Sequence, residues 1–376
     1  MKGILITHKG IEDIASLEVE ELIGKPSKKN EACITFDIEK YEDLFKLCYL
    51  SQSAVKINYL LSEFNFKDLF IDFKKNIQKT SFKDWLSKDL TFKVKCIKNI
   101  GIDLPTPELE RKLGEIIIDF LEKKYNYKQK VNLNNPDATV LVFLNKNNCY
   151  LGIDFAGFDL SKRTYNIFAH PTNIKATIDY SLVRLSGYKK ETLLDPFSGS
   201  GNIPIEAALF SSKFPVNFYN KEKFAFLNFQ NFQDFNFQNF FKKIDGKIKD
   251  EKLGIYNLNG AMICINHAKK NSKIAGISKK LNFSRTELER LDVKFVKGEI
   301  HNIVTKMPSL NTKDIEKIYN EFFYQAEFIL NKKGKIVVIG NKDLIEKSLS
   351  KYKFKIEETR QVFSGKEKYD VFILKK

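Results

Sequence analysis

No stretch of this chain approaches the ~18–20 consecutive apolar residues needed to span a bilayer as a helix. The start, Met1-Lys2-Gly3-Ile4-Leu5-Ile6-Thr7-His8, lacks the apolar core of a secretory leader and reads as a first strand. Cysteine is sparse. Cys33, Cys48, Cys96, Cys149 and Cys264 are scattered without a Cys-x-x-Cys, so neither a disulfide framework nor a zinc site is expected, and no metal. A reducing cytoplasm fits. Two nucleotide signatures are also missing. No Gly-Lys-Ser/Thr closes the glycine turn at Gly199-Ser200-Gly201, which excludes a phosphate-cradling P-loop. The third glycine of a dinucleotide turn is replaced by Pro204.

At 376 residues with 43% hydrophobic content, the chain supports two or three domains with real cores. Its net charge of +16 is unevenly spread. Residues 1–176 hold 27 Lys and Arg against 24 Asp and Glu, a net of +3. The remainder holds 36 against 23, a net of +13. Such an excess favours a polyanion through counterion release.

The densest information lies in Leu193-Leu194-Asp195-Pro196-Phe197-Ser198-Gly199-Ser200-Gly201-Asn202-Ile203-Pro204-Ile205-Glu206-Ala207-Ala208-Leu209. It reads as a buried strand ending in an acid, a tight glycine turn and a helix whose free N–H groups face the same spot. That is a small-molecule site at the carboxyl end of a strand in an open α/β sheet. Asp-Pro-Phe-Ser-Gly-Ser-Gly resembles motif I of S-adenosylmethionine-dependent methyltransferases. The continuation into Ile-Glu-Ala-Ala resembles enzymes that methylate the exocyclic N2 of guanine in RNA. The resemblance implies a Rossmann-like α/β methyltransferase domain over 177–376, with S-adenosylmethionine as cofactor. Asp195, Phe197, Gly199, Gly201 and Asn202 would line its cofactor site.

Upstream, residues 1–60 read as strand, helix, strand, helix, strand, a ferredoxin-like α+β subdomain. Short helices are expected at Phe66–Asn76 and Phe82–Leu86. Thr91–Ile97 alternates strictly, as a half-buried strand does. Thr106-Pro107-Glu108 reads as a helix cap, a proline at the first position and an acid. Lys130–Leu133, the turn Asn134-Asn135-Pro136-Asp137 and the strands Ala138–Leu144 and Asn148–Asp154 follow. Residues 61–155 thus resemble the THUMP domain, an RNA-binding module of tRNA-modifying enzymes. Asn135 and Asp137 in its turn are candidate RNA contacts, and tRNA is the implied partner. The linker 156–176 carries Lys162 and Arg163, candidate RNA contacts or a solvated pair. It also carries His170-Pro171-Thr172, where Pro171 would sit beside the cofactor. In Phe224–Phe241, phenylalanines alternate with Asn and Gln. They would either stack on unpaired bases or form a hydrophobic connection.

The family's catalytic positions are partly altered. The acid that holds the cofactor ribose corresponds to Asn259. The acid facing adenine corresponds to Glu287, with Glu299 in a competing register. The (Asn/Asp)-Pro-Pro-(Tyr/Phe) motif corresponds to Lys306-Met307-Pro308-Ser309, so Lys306 and Pro308 mark the catalytic place. A protonated lysine only donates, whereas the target amine needs an acceptor. Two readings stay open: a working tRNA guanine-N2 methyltransferase with an unusual centre, or a catalytically inactive tRNA-binding relative. A methyltransferase of proteins or metabolites leaves the RNA module unexplained.

Overall fold

A computed structural model describes residues 1–99, 101–308 and 313–376. The chain divides into two compact units. The first comprises 1–7, 15–160 and 217–242; the second comprises 8–14, 161–216 and 243–376.

The first unit is built on one eight-stranded sheet, which joins the stretches expected as 1–60 and 61–155. Its strands are β1 (Lys2–Ile6), β2 (Ser27–Asn30), β3 (Cys33–Asp37), β4 (Lys56–Asn65), β5 (Thr91–Asn99), β6 (Lys130–Val131), β7 (Ala138–Asn145) and β8 (Asn148–Asp154). They run in the order β2-β3-β1-β4-β8-β7-β5-β6. In β5 the expected alternation holds, with Phe92, Val94 and Cys96 buried. β5 pairs in parallel with β7, and a parallel pair needs a crossover. The helix Thr106–Tyr125 supplies it and buries Leu109, Leu113, Ile116, Ile117 and Phe120. That spacing is one helical face.

Three local expectations are corrected. Thr106 is already inside its helix: the cap position is Pro105, and no side chain caps it. Phe82–Leu86 forms a single turn, because the N–H groups of Trp85 and Leu86 both return to the Phe82 carbonyl and the chain then runs on without helix. Lys294-Phe295 reads from sequence as a strand piece, but Lys294 closes a short helix, Leu291–Lys294. There the Asp292 N–H is taken by Gln325 Oε1 at 2.9 Å, so it makes no sheet ladder.

The Phe-rich stretch belongs to the first unit. Phe224, Phe226, Phe229, Phe232 and Phe241 are buried. Their rings meet the helix Glu42–Leu50: Phe45 lies 4.6 Å from Phe226 and 4.9 Å from Phe232, and Tyr49 lies 4.8 Å from Phe241, centroid to centroid. Backbone bonds from Ala225 to Ala156 and from Phe226 to Phe155 pin the segment. These rings are core and are closed to bases.

The second unit has a seven-stranded sheet: β9 (Leu193–Asp195), β10 (Ile255–Asn259), β11 (Asn282–Arg285), β12 (Ile300–Lys306), β13 (Leu330–Ile339), β14 (Lys355–Ser364) and β15 (Glu367–Lys375). The order is β11-β10-β9-β12-β13-β15-β14. β11 to β13 are parallel neighbours, and β15 inserts antiparallel between β13 and β14. The chain leaves β9 toward one edge and returns to β12 on the other side. A crevice opens at such a reversal, outside the carboxyl ends of the strands.

Truncating a ring in the shared aromatic cluster removes a large buried volume. Phe226→Ala should cost roughly 3–5 kcal/mol, read as a lower urea midpoint for the first unit. An unchanged midpoint would place these rings outside the core.

Candidate active site

β9 ends at Asp195, which is 2% exposed. The chain then turns through Gly199 (φ +52°) and Gly201 (φ +88°) into the helix Asn202–Ser212. The two glycines have different reasons. A Cβ on Gly199 would meet only ordinary contacts, so backbone conformation alone favours glycine there. A Cβ on Gly201 would lie 2.8 Å from the Ala268 Cβ. Close packing against the helix Met262–Ile274 therefore requires that glycine.

The turn is held from several sides. Ser198 donates through both its N–H and its hydroxyl to the Leu258 carbonyl, at 3.1 and 2.8 Å. Asn271, fully buried, bonds the N–H and carbonyl of Phe168 and also donates to the Ser200 carbonyl at 3.1 Å. Asn173 Nδ2 reaches the Ser200 hydroxyl at 2.6 Å. The loop 168–173 is thus tied to the glycine turn.

Asp195 Oδ1 accepts from the Thr305 hydroxyl at 2.6 Å and from the Phe197 N–H at 3.2 Å. Burial still dominates and pushes the carboxyl up to about 7. Thr305 precedes Lys306 at the end of β12. Lys306 Nζ donates to the Thr172 carbonyl at 2.8 Å and sits 5.4 Å from the centre of the Tyr369 ring. Burial lowers its pKa, opposed by Asp179 and Glu367.

One narrow pocket gathers Thr172, Asp179, Asp195, Phe197, Gly199, Asn202 and Lys306. Sequence reasoning missed Asp179, Thr305 and Asn271. Asp179 lies on the helix Ala176–Leu185, where an acid among apolar residues carries no motif. Its carboxyl is pushed well up, first by burial and then by Glu206 and Asp195. Asp179 Oδ2 and both side-chain polar atoms of Asn202 are buried without a well-formed hydrogen bond, though Asn202 lies near enough to the Asp179 carboxyl to hold its pKa down.

Asn259 and Glu287 stand together at the carboxyl ends of β10 and β11, in register Asn259–Arg285. Asn259 Oδ1 already accepts the Ala261 N–H at 2.9 Å, leaving one lone pair. Glu287 is 3.6 Å from Arg285. Glu299 precedes β12, at the amino ends of the parallel strands, and accepts from the Val296 N–H. It cannot face the same crevice. Pro171 is exposed beside Thr172, and Pro308 follows β12. Ser309 lies outside the described residues.

The expected RNA contacts fare unequally. Lys162 is exposed. Arg163 is not available: its side chain is 2% exposed and makes a two-pronged pair with Glu206, at 2.8 and 3.0 Å. Tyr165 donates to the same carboxylate at 2.8 Å. Asp137 is exposed but structural, accepting from the N–H and hydroxyl of Thr91 at 2.7 and 2.6 Å. Asn135 is exposed, with its N–H bonded to Asn132 Oδ1. Among the described residues no cluster of His, Cys, Asp and Glu is placed to hold a metal. No helix among them is long and apolar enough to cross a membrane.

The chain is similar to known proteins in sequence and in fold. A family model described as an RMKL-like methyltransferase domain matches residues 163–370, and a THUMP-domain model matches 70–154. A tRNA (guanine(6)-N2)-methyltransferase of Methanocaldococcus jannaschii is 29% identical over 369 residues, covering 95% of each chain. One of Archaeoglobus fulgidus is 26% identical, over 88% of this chain and 80% of that one. The crystal structure of "a possible methylase" from Clostridium difficile 630 superposes with a TM-score of 0.84 at 21% identity, over 100% and 97% of the two chains. That last likeness is one of fold.

Two outcomes follow from the buried charges. Arg163→Ala strands Glu206 and should cost roughly 3–5 kcal/mol; denaturant unfolding alongside RNA binding by the folded fraction separates this from an RNA contact. For Asp195, the folded carboxyl keeps its proton to about pH 7, while the unfolded one loses it near 4. The ligand-free protein should therefore lose stability as pH rises from about 4 to 7. Asp195→Asn should flatten that slope in a series of thermal melts.

Proposed function

The chain belongs to the RMKL-like methyltransferase family, and we propose that it methylates the exocyclic N2 of a guanosine in tRNA. The methyl donor is S-adenosylmethionine. The observation that carries this reading is the pocket at the β9–β12 reversal, where the acid, the glycine turn and Lys306 converge. The archaeal relatives and the THUMP match add the RNA class. The net charge of +13 on 177–376 adds attraction for a polyanion. A cytoplasmic location suits an enzyme of tRNA.

The pocket fits the donor chemically. Its unpartnered buried acceptors suit a ligand that carries positive charge and N–H donors. When bound, S-adenosylmethionine supplies an electrophilic methyl group. Asn259 and Glu287 would hold the nucleoside end, while Asn271 and Ser198 fix the turn. Lys306 occupies the place of the amine acceptor. Neutral lysine has a lone pair to accept with, and burial shifts Lys306 in that direction. Near a sulfonium the shift is reinforced, because like charges disfavour the ammonium.

Incubation with labelled S-adenosylmethionine and unmodified tRNA, followed by nucleoside analysis, should yield N2-methylguanosine. The rate should rise with pH as Lys306 loses its proton. Lys306→Asn combined with Met307→Pro should speed the reaction at neutral pH by roughly 10- to 100-fold and remove the rise. Binding of tRNA by the protein without any transfer, in wild type and variant alike, would favour the inactive relative. Brisk transfer that Lys306→Ala leaves untouched would move the centre elsewhere.

A further inference from the structure

The active-site crevice uses the carboxyl ends of the parallel strands. At their amino ends a separate groove of about 900 Å³ opens. β12 and β13 start there, and the antiparallel β15 ends there. Ile300 and Lys306 close the two ends of β12, roughly 20 Å apart at about 3.3 Å per residue. The groove therefore belongs to neither the cofactor nor the reacting base.

Its walls carry Lys297, Lys332, Lys333, Lys353 and Lys376 against two acids, Asp292 and Glu327. Lysine is abundant along the whole chain, so what these five pair with decides their meaning. Just outside the groove, Lys335 and Lys375 share Glu357. Lys297, Lys332, Lys333 and Lys353 are exposed, and none of them is in an ion pair among the described residues. Lys376 Nζ donates to the Glu327 and Leu330 carbonyls, at 2.5 and 3.1 Å. Burial lowers its pKa, Glu327 opposes, and Lys297, Lys332 and Lys353 lower it further. Like charges are gathered here with too few counter-charges, a field that a bound polyanion relieves.

The second observation is aromatic. The helix Ile315–Ile329 buries Phe322, Phe323 and Ala326 toward the core. Tyr324 and Phe328, four residues apart on another face, are 56% and 39% exposed and line the same groove. Exposed rings beside unpaired cations make a stacking platform with a charged rim, which suits a strand of nucleotides. An acidic peptide would satisfy the lysines but offer the rings nothing flat to stack on. We propose that this groove binds an unpaired stretch of RNA, with phosphates on Lys297, Lys332 and Lys353 and bases on Tyr324 and Phe328. The proposal rests on the RNA reading above and adds a contact surface remote from the reaction.

Titration of labelled oligouridylate and of unmodified tRNA across a range of salt concentrations tests it, with melting temperature as the check on folding. Neutralising three lysines together, Lys297→Gln, Lys332→Gln and Lys353→Gln, should lower the slope of log affinity against log salt by about 2 on oligouridylate. Tyr324→Ala should weaken that binding roughly 5- to 150-fold. Tyr324→Phe keeps the ring and should bind as wild type does. An unchanged slope and affinity in the lysine variant overturns the proposal. So does a lowered slope with Tyr324→Ala binding normally, which would reduce the groove to diffuse attraction. Polyglutamate of matched charge held as tightly as oligouridylate would assign the groove to an acidic protein instead. Wild type that binds tRNA but not oligouridylate removes the groove and leaves the RNA reading standing. Wild type that binds neither removes both.

Discussion

The Thr305 hydroxyl donates to Asp195 Oδ1 across 110 residues of sequence, and the site depends on that bond. It joins the ends of β9 and β12, strands that neighbour each other only because the sheet order reverses at β9. The acid that closes β9 and the lysine that closes β12 are brought to one pocket by that reversal. Parallel strands buried on both faces leave little freedom of register. The relative height of Asp195 and Lys306 is accordingly set by the hydrophobic runs beneath them, Leu193-Leu194 and Ile303-Val304.

Buried charge divides the second unit into two kinds of place. Arg163, Glu206 and Tyr165 satisfy one another. They act as a scaffold for the linker against the helix Asn202–Ser212. Asp195 and Asp179 are incompletely satisfied, and burial raises both. Buried acids whose pKa values are raised in this way, gathered around one pocket, mark a candidate functional site. Lys306 belongs to the same group. Its lowered pKa gives a residue that looks like a broken motif position a chemical route to accept a hydrogen bond.

The aromatic segment shows how composition misleads. Phenylalanine alternating with Asn and Gln fits base stacking, yet the rings close over Phe45, Tyr49 and Phe155. The Asn and Gln residues between them stay at the surface, and Asn231 donates to the Asp84 carbonyl. Large rings bury readily when a facing aromatic surface exists, and nothing local in 224–241 announces that surface.

The sequence by itself determined the local pieces. The alternation of Thr91–Ile97, the helical spacing of Leu109 to Phe120, and the acid, glycine turn and helix around Asp195 are short-range patterns with short-range causes. They carried the family and the cofactor class. Tertiary structure decided everything that needed two distant segments to meet. Arg163 looks like a surface cation until Glu206 is opposite it. Asp179 looks like a helix residue until the fold buries it in the pocket with Asp195 and Lys306. Glu287 and Glu299 are equivalent by spacing, and only the direction of the parallel strands puts one at the carboxyl edge and the other at the amino edge. Pairing, burial and strand direction are properties of the assembled sheet, because each depends on residues a hundred positions away.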